Sequence, residues 1–403
     1  MMKVDNLNDK KYFIIFSTLA IIFSPFANYS IASLSIDRFF LILSLIFLFT
    51  GVISRKEITE YFLVITIFLL LCFINGSSDI GIILSYFVAY SYFFISKSMI
   101  IRVNKIEKIN KILLSITFVL LFFCLWATYN VYFLGRIEYP DPFGFAYSDP
   151  EHRRTMMYNY RLFLPYASAP FLALVSGFIL LWFYFFSSKR DLINFMVIII
   201  LFTILIATKS RGPLYSIIFC VTLYHILKFF LYTISKKDFF FFIIVILCCS
   251  FFFYFGLSSD ISNSRLIPDL NEILNSRHAD LRLFAIDIFS NSNFFSIIFG
   301  GGVSYFASLG FGAYSFMSYL TVLIEFGVIG GLSFIFLMFS PICNIMLIRK
   351  HSVFTLKIFL LCLYLALCHL FYEYKTLVPA WIFLGFVSGI SKSMRSGGIY
   401  EES

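Results

Sequence analysis

The sequence is a succession of apolar runs, each about as long as a helix that crosses a lipid bilayer. A transmembrane helix needs about 20 predominantly apolar residues. Runs of this kind are separated by charged residues and lie at 12–30, 38–54, 60–76, 80–97, 112–134, 163–187, 192–208, 213–234, 239–257, 326–347, 353–372 and 376–392. We therefore predict an all-α polytopic membrane protein with about twelve transmembrane helices, in a range of roughly 11 to 13.

Composition supports the same class. Hydrophobic residues make up 60% of the 403 residues and charged residues only 13%, whereas a soluble globular protein carries about 25% charged residues. A soluble fold is therefore excluded, and we predict one membrane domain over residues 1–403. All eight cysteines lie in apolar runs, so we expect neither disulfides nor a thiolate metal site.

The basic residues predict the orientation of the chain. If the N-terminus is cytoplasmic, the inner segments hold 20 of the 31 Lys and Arg residues but only nine of the 22 Asp and Glu residues. This asymmetry follows the positive-inside rule and places both termini inside. The net charge of +9 is thus a topological signal, and we expect no nucleic-acid partner. The first apolar run follows three lysines and is interpreted as a retained helix rather than a cleaved signal peptide.

Two outer loops are long, at 135–162 and 258–325, and we expect short helices in them. Loops of that length in a compact protein are usually functional. The first loop contains Arg153, Arg154 and Arg161, which could form a cationic arm over an anionic group, because arginine binds phosphate with two parallel hydrogen bonds. The alternative is an ordinary solvated loop.

A short charged segment, Lys209-Ser210-Arg211-Gly212, separates two long apolar runs. Its position predicts a tight turn between two helices at the outer surface, with Gly212 and Pro213 at the boundary. Charged residues at membrane depth cost about 2.5–3.5 kcal/mol each on insertion scales and tend to be functional. Snorkelling of Arg211 at the turn is the alternative, and we favour the functional interpretation.

The second long loop contains Arg277, His278, Asp280 and Arg282, then an amphipathic run and the triplet Gly300-Gly301-Gly302. The interpretation without a functional role is an interfacial helix whose charges face water. The triplet lacks the strand and the Lys of a nucleotide-binding loop. It would more simply let the backbone approach a substrate or a neighbouring helix.

Glu325 lies where a short outer helix would meet the next span. It could cap a helix or pair with one of the arginines. A carboxylate beside apolar surface can also act as a general base, and Asp280 competes for that role. The five histidines show no metal-site spacing, so we predict no metal and no cofactor.

The order of these motifs across about residues 190–335 resembles the O-antigen polymerase and ligase superfamily. The shared features are the long outer loops, the Ser210-Arg211-Gly212 turn, an arginine ahead of a glycine-rich stretch, and Tyr319-Leu320 followed by Glu-x-Gly-x-Ile-Gly up to Gly330. The ligase branch typically has a histidine three residues before the Tyr-Leu pair. Here that residue is Phe316, a departure that favours a polymerase.

The resemblance implies a GT-C-like glycosyltransferase of the bacterial inner membrane, acting at the periplasmic face. Its substrates would be undecaprenyl-diphosphate-linked oligosaccharide repeat units, polymerised into O-antigen or another surface polysaccharide. The turn arginine corresponds to Arg211, and the arginine ahead of the glycines corresponds to Arg282, with Arg277 as the competing match. A membrane protein that regulates chain length is a possible partner, beside membrane lipid.

The implied chemistry needs positive charge where the diphosphate leaves and an oriented acceptor hydroxyl. We assign Arg211 and Arg282 to the diphosphate, with assistance from Arg153, Arg154, Arg161 and Arg277. Glu325 or Asp280 would orient or deprotonate the acceptor, and Tyr314 could stack on a sugar ring. The rival functions are an O-antigen ligase and a polysaccharide or lipid-linked oligosaccharide transporter (flippase).

Overall fold

The computed structural model describes residues 2–26, 30–31, 34–47, 54–76, 80–103, 105–130, 162, 164–166, 168–186, 192–231, 277–306, 308–309, 317–348 and 352–396. Within these ranges the chain is helical except for turns and one antiparallel pair of two-residue strands, β1 (Ser30–Ile31) and β2 (Leu34–Ser35).

The helices begin and end close to the apolar runs. They are α1 (Met2–Phe23), followed by a 3-10 turn (Ser24–Phe26), α2 (Ile36–Phe47), α3 (Arg55–Ile74), α4 (Ile80–Val103), α5 (Ile106–Thr128), α6 (Ala169–Phe186), α7 (Leu192–Ala207), α8 (Arg211–Leu231), α9 (Arg277–Ser290), α10 (Phe294–Phe299), α11 (Ser318–Met346), α12 (Val353–Phe371) and α13 (Val378–Arg395).

Every predicted run that falls at least partly within the described residues overlaps a helix, with ends that differ by several residues, while the run at 239–257 lies outside them. In the described part of the chain, seven helices are long and apolar enough to cross a membrane, namely α3, α4, α5, α6, α8, α11 and α12. The prediction of a helical multi-pass membrane protein is therefore confirmed. The number of twelve spans, the orientation and the GT-C-like architecture stay predictions.

The chain forms two compact units. The first comprises Met1–Phe62, Val88–Ser210 and Leu377–Ser403, and the second comprises Leu63–Phe87 and Arg211–Thr376. Helices α3 and α4 thus contribute residues to each unit.

The first unit has a core of large aromatic side chains and close helix contacts. The rings of Phe178 in α6 and Phe383 in α13 stack with centroids 4.1 Å apart. Trp182 donates a hydrogen bond from Nε1 to Oδ1 of Asn110 over 2.7 Å. A Cβ at Gly385 would lie 2.6 Å from the carbonyl oxygen of Phe93, so a glycine lets α13 approach α4 closely, as small residues do between membrane helices.

Ion pairs tie three helix ends together in the first unit. Arg102 in α4 lies 3.2 Å from Glu57 in α3, and Lys97 lies 2.9 Å from Glu60. Lys392 in α13 lies 3.6 Å from Glu60. In the predicted orientation these residues are at the cytoplasmic end of their helices, and they give that end a structural role.

The second unit packs α9 against the first turns of α11. Their contact is a cluster of buried apolar residues, namely Leu281, Ala285, Phe306, Leu320 and Ile324. The helix α12 begins with a capping box, in which the side chains of Ser352 and Thr355 each accept a hydrogen bond from the backbone N–H of the other. These contacts position the polar residues described next.

Candidate functional site

The helix α11 is broken near its start. At Gly327 the backbone has φ 65° and ψ −166°, a conformation that is essentially restricted to glycine. A Cβ at this position would also collide with the carbonyl group of Ile298. The break leaves carbonyl groups of the preceding turn without their helical hydrogen-bond donors.

The glycine turn Gly300–Gly302 supplies those donors. Gly301 donates from its backbone N–H to the carbonyl of Ile324 over 2.9 Å, and Gly302 donates to the carbonyl of Glu325 over 3.0 Å. Gly300 has φ 88°, and a Cβ there would collide with the Glu325 carbonyl. Of the two interpretations of the triplet, the close approach to a neighbouring helix is thus the one that the structure shows.

The side chain of Glu325 is buried at this junction and accepts three hydrogen bonds. It is 1% exposed. Its Oε2 accepts from the hydroxyl of Tyr86 over 2.9 Å and from Nζ of Lys375 over 2.7 Å. Its Oε1 accepts from the backbone N–H of Ser304 over 3.2 Å. The carboxylate therefore connects α4, the segment after the glycine turn and the segment that follows α12.

A second carboxylate shares the same lysine. Lys375 is 3% exposed, and its Nζ lies 3.2 Å from Oε1 of Glu373. Oε2 of Glu373 accepts a hydrogen bond from the hydroxyl of Thr321 over 2.7 Å. We call Tyr86, Thr321, Glu325, Glu373 and Lys375 the buried charge cluster.

The cluster holds two carboxylates and one ammonium group, so it has one negative charge in excess when all three are ionised. Burial raises the pKa of Glu373, and the nearby Lys375 and the hydrogen bond from Thr321 offset only part of this effect. Burial opposes the charge of Lys375, but Glu325 and Glu373 outweigh it and hold the pKa of Lys375 above its usual value. The two carboxylates therefore favour the charged form of Lys375.

Arg282 in α9 reaches the end of α12. Its Nη2 donates a hydrogen bond to the carbonyl of Phe371 over 3.1 Å. The last carbonyl groups of a helix lack helical partners and attract cations, which explains why an arginine binds there. Arg282 is half-buried, and burial lowers its pKa.

Arg211 arrives at the same helix end from another element. It is the first residue of α8, and the next residue, Gly212, packs directly on Phe371, since a Cβ on Gly212 would lie 2.6 Å from Cβ of Phe371. The positive end of the α8 dipole therefore lies beside the end of α12. Arg282 and the first turn of α8, which begins with Arg211, therefore both contact Phe371.

The segment after Phe371 is fixed to the first turn of α11. Ser318 donates from its hydroxyl to the carbonyl of Tyr372 over 3.1 Å and accepts from the backbone N–H of Tyr374 over 2.7 Å. Residues 371–375 therefore connect the two arginines to the buried charge cluster.

Asp280 lies apart from these residues. Asp280 is exposed on α9, and residues two positions apart on a helix do not face each other, so Asp280 and Arg282 project to different sides. Arg277 is the first residue of α9. The remaining predicted residues lie outside the described part of the chain, namely Arg153, Arg154, Arg161 and Tyr314.

Sequence reasoning missed most of the buried charge cluster. The alternative that Glu325 pairs with an arginine is wrong within the described residues, because its ionic partner is Lys375. Lys375 and Glu373 lie in a short segment between two apolar runs, the signal that singled out Arg211, and could have been found in the same way. Tyr86 carries no such signal, because it is one aromatic residue in an apolar, aromatic-rich run.

The geometry provides two arginines, a helix N-terminus and the carboxylate of Glu373 in the second unit. The Glu373 side chain is 11% exposed, although its Oε1 is buried. Such a set can bind an anionic group and hold or accept a proton beside it. Among the residues that the structure describes, no group of three or more His, Cys, Asp or Glu side chains could hold a metal ion.

Neither models of known protein families nor curated proteins match this chain.

Proposed function

We propose that this protein is a glycosyltransferase that polymerises undecaprenyl-diphosphate-linked oligosaccharide repeat units into O-antigen or a related surface polysaccharide. The reaction would take place at the periplasmic face of the bacterial inner membrane. A hydroxyl group of one repeat unit attacks the anomeric carbon of the growing chain, and undecaprenyl diphosphate leaves. The donor is already activated, so the reaction needs no nucleotide.

The observation that carries this proposal is that Arg282 and the start of α8, where Arg211 lies, both contact Phe371. Arg282 binds the carbonyl of Phe371, and the residue after Arg211 packs on its side chain. A leaving diphosphate develops negative charge, which positioned guanidinium groups stabilise without a metal ion. The sequence resemblance selected the same two arginines independently of their contacts.

The position of these residues along their helices supports a site at the membrane boundary. The helices α8 and α12 have 21 and 19 residues, and the part of α11 beyond Gly327 has about 19. At about 1.5 Å per residue each is about 30 Å long, the thickness of the hydrocarbon core. Arg211, Phe371 and Gly327 are therefore all at an end of a full crossing, where a lipid-borne diphosphate lies.

The buried charge cluster would hold this end of the unit in a fixed geometry. Glu325 already accepts three hydrogen bonds and is almost fully buried, so the structure favours an orienting role for it over deprotonation of a substrate. Orientation of the reacting groups is itself a large part of such catalysis. The predicted loop arginines and Tyr314 would complete the site on the substrate side.

A transporter for the same lipid-linked repeats is the second candidate, because α11 is broken beside a buried ion pair. Transporters bind substrates at discontinuous helices, but near the middle of the bilayer. The break in α11 instead precedes a segment that is itself long enough to cross the hydrocarbon core. This position favours the transferase.

Arginine substitutions in cells test the proposal. The variants are expressed in place of the native protein, in the strain that carries this gene. Arg211→Ala and Arg282→Ala should leave the protein in the membrane but give lipopolysaccharide with a single repeat unit on gels. Arg55→Ala, at an exposed arginine at the start of α3, is the matched control and should give the full ladder. Long ladders in both site variants would refute the diphosphate role, and bare core without any repeat would identify a ligase.

A further inference from the structure

The proposed reaction releases a proton from the acceptor hydroxyl, and the structure narrows the choice of the group that takes it. Besides Asp287 in the last turn of α9, the described part of the second unit contains three carboxylates, on α9, on α11 and in the segment after α12. They are Asp280, Glu325 and Glu373. They differ in their exposure, their hydrogen bonds and the direction in which they project.

Glu325 and Asp280 are each poorly suited to be the base. Both oxygens of Glu325 already accept hydrogen bonds, one of them from an ammonium group at 2.7 Å. Protonation of Glu325 would break the shortest ion pair of the cluster. Asp280 is exposed on α9, two residues from Arg282, and projects away from the side on which Arg282 meets α12.

Glu373 has the position that the reaction needs. It follows Phe371, which binds Arg282 through its carbonyl and packs against Gly212 beside Arg211. The Cα atoms of Phe371 and Glu373 are at most about 7 Å apart. Its side chain is 11% exposed, against 1% for Glu325. Its two oxygens have one hydroxyl donor, Thr321, and one ammonium group at 3.2 Å, and a carboxylate has about four acceptor positions.

The charges around Glu373 favour the uptake of one proton. The groups that face it are Thr321 and Glu325 from α11 and Lys375 from its own segment, while Tyr86 from α4 contacts Lys375 and Glu325. With two carboxylates and one ammonium group, the cluster has one negative charge in excess. A proton on Glu373 leaves a neutral cluster and keeps the 2.7 Å pair between Lys375 and Glu325 intact. Removing a buried net charge is favourable.

We propose, on the basis of the proposed function, that Glu373 is the catalytic base that takes the proton from the acceptor hydroxyl. The hydroxyl oxygen forms a bond to the anomeric carbon, and the bond from that carbon to the diphosphate breaks. The electron pair of the broken bond stays on the diphosphate, which Arg211 and Arg282 stabilise. The hydroxyl proton moves to the Glu373 carboxylate, which becomes neutral.

The pH dependence of this step has a definite sign. A base must be ionised, so the rate falls as the pH falls through the pKa of Glu373. Because burial raises that pKa, the acid limb of the pH–rate profile should lie above about 4.3, the usual value for Glu.

The full-length protein in liposomes, supplied with radiolabelled undecaprenyl-diphosphate-linked repeat units, tests the proposal. We expect Glu373→Gln to lower the initial rate by about 10²- to 10⁴-fold, the usual contribution of a general base, and to abolish the acid limb. Asp287→Asn, at an exposed carboxylate of α9, is the matched control and should keep both the rate and the limb. A Glu373→Gln protein with the rate and profile of the unsubstituted protein would overturn the assignment.

A second variant covers the case in which Glu373→Gln does not fold. Glu373→Asp keeps the charge but withdraws the carboxylate by one methylene, so it should lower the rate and retain the acid limb. An unaltered rate in Glu373→Asp would then overturn the assignment. If the unsubstituted protein does not lengthen the repeats at all, the proposed function itself fails. If it lengthens them and the Glu373 variants behave like it, only the assignment of Glu373 fails.

Discussion

Removal of the lysine from the buried charge cluster should be far more damaging than removal of its main partner. Lys375 lies 2.7 Å from Glu325 and 3.2 Å from Glu373. The variant Lys375→Met leaves both carboxylates without a cation. Loss of one partner of a buried ion pair costs about 3–5 kcal/mol, because the remaining charge is uncompensated.

Substitution of the main partner, Glu325, should cost less stability than substitution of Lys375. In Glu325→Gln the lysine keeps Glu373 as its ionic partner, and the glutamine can still accept a hydrogen bond. We therefore expect a loss of only about 1–3 kcal/mol, the cost of a lost buried hydrogen-bond partner. The double variant Lys375→Met/Glu325→Gln leaves one unpaired carboxylate instead of two, so it should be more stable than Lys375→Met alone.

Thermal unfolding of the purified protein in detergent measures this order. A maleimide dye that fluoresces after reaction with a thiol reports unfolding, because Cys220, Cys362 and Cys368 of the second unit are buried and react only when it opens. The exposed Cys343, and the buried Cys124 of the first unit, are replaced by serine in every variant, so that they do not contribute. At about 2–4 °C per kcal/mol, Lys375→Met should lower Tm by on the order of 10 °C. Lys108→Met, at an exposed lysine of α5, should leave Tm unchanged.

The order of the variants decides whether the reasoning holds. If Glu325→Gln lowers Tm as much as Lys375→Met does, the lysine is not shared by two carboxylates. If the two losses simply add in the double variant, the side chains are not energetically coupled.

Two further substitutions test the close approach at the break in α11 and the hydrogen bond from Tyr86 to Glu325. Gly300→Ala should destabilise the protein by more than about 1 kcal/mol, because the new Cβ meets the Glu325 carbonyl. Gly76 also has a positive φ but lies in open space, so Gly76→Ala measures the backbone strain without the collision. Equal decreases of Tm in the two variants would refute the close approach. Tyr86→Phe should cost about 1.5–3 kcal/mol of stability, because the Tyr86 hydroxyl donates a hydrogen bond to the charged carboxylate of Glu325. Tyr61→Phe is the control, because it removes a hydrogen bond to the neutral Ser91 and should cost about 0.5–1.5 kcal/mol. A destabilisation by Tyr86→Phe no larger than that by Tyr61→Phe would contradict the hydrogen bond between Tyr86 and Glu325.

The helices could be predicted from the sequence because apolar runs of bilayer length have few other solutions. The start of α11 is the informative exception. The predicted run begins at 326, but the helix begins at Ser318 and includes Thr321 and Glu325. These polar residues do not read as part of a span, because their partners come from the segment after α12 and from α4, which no local pattern reveals.

Part of the candidate site could be predicted from the sequence, because its charged residues interrupt or flank apolar runs. Arg211, Arg282 and Glu325 stand out because charges beside apolar runs are costly and therefore tend to be functional. Phe371, which contacts Arg282 and Gly212, is an ordinary apolar residue, and its role depends on its backbone carbonyl and on its packing against Gly212. Tyr86 could not be distinguished from the other 24 tyrosines, because only the fold brings its hydroxyl to Glu325.

The length of the product is the most direct test of the proposed joining of lipid-linked sugar repeats. The purified protein should be reconstituted in liposomes with labelled undecaprenyl-diphosphate-linked repeat units, and the products should be separated by size. We expect the unsubstituted protein and the Arg55→Ala variant to give a ladder of lengthened chains. The Arg211→Ala and Arg282→Ala variants should give none. Repeats that cross the bilayer with their length unchanged would contradict the proposed function and identify a transporter.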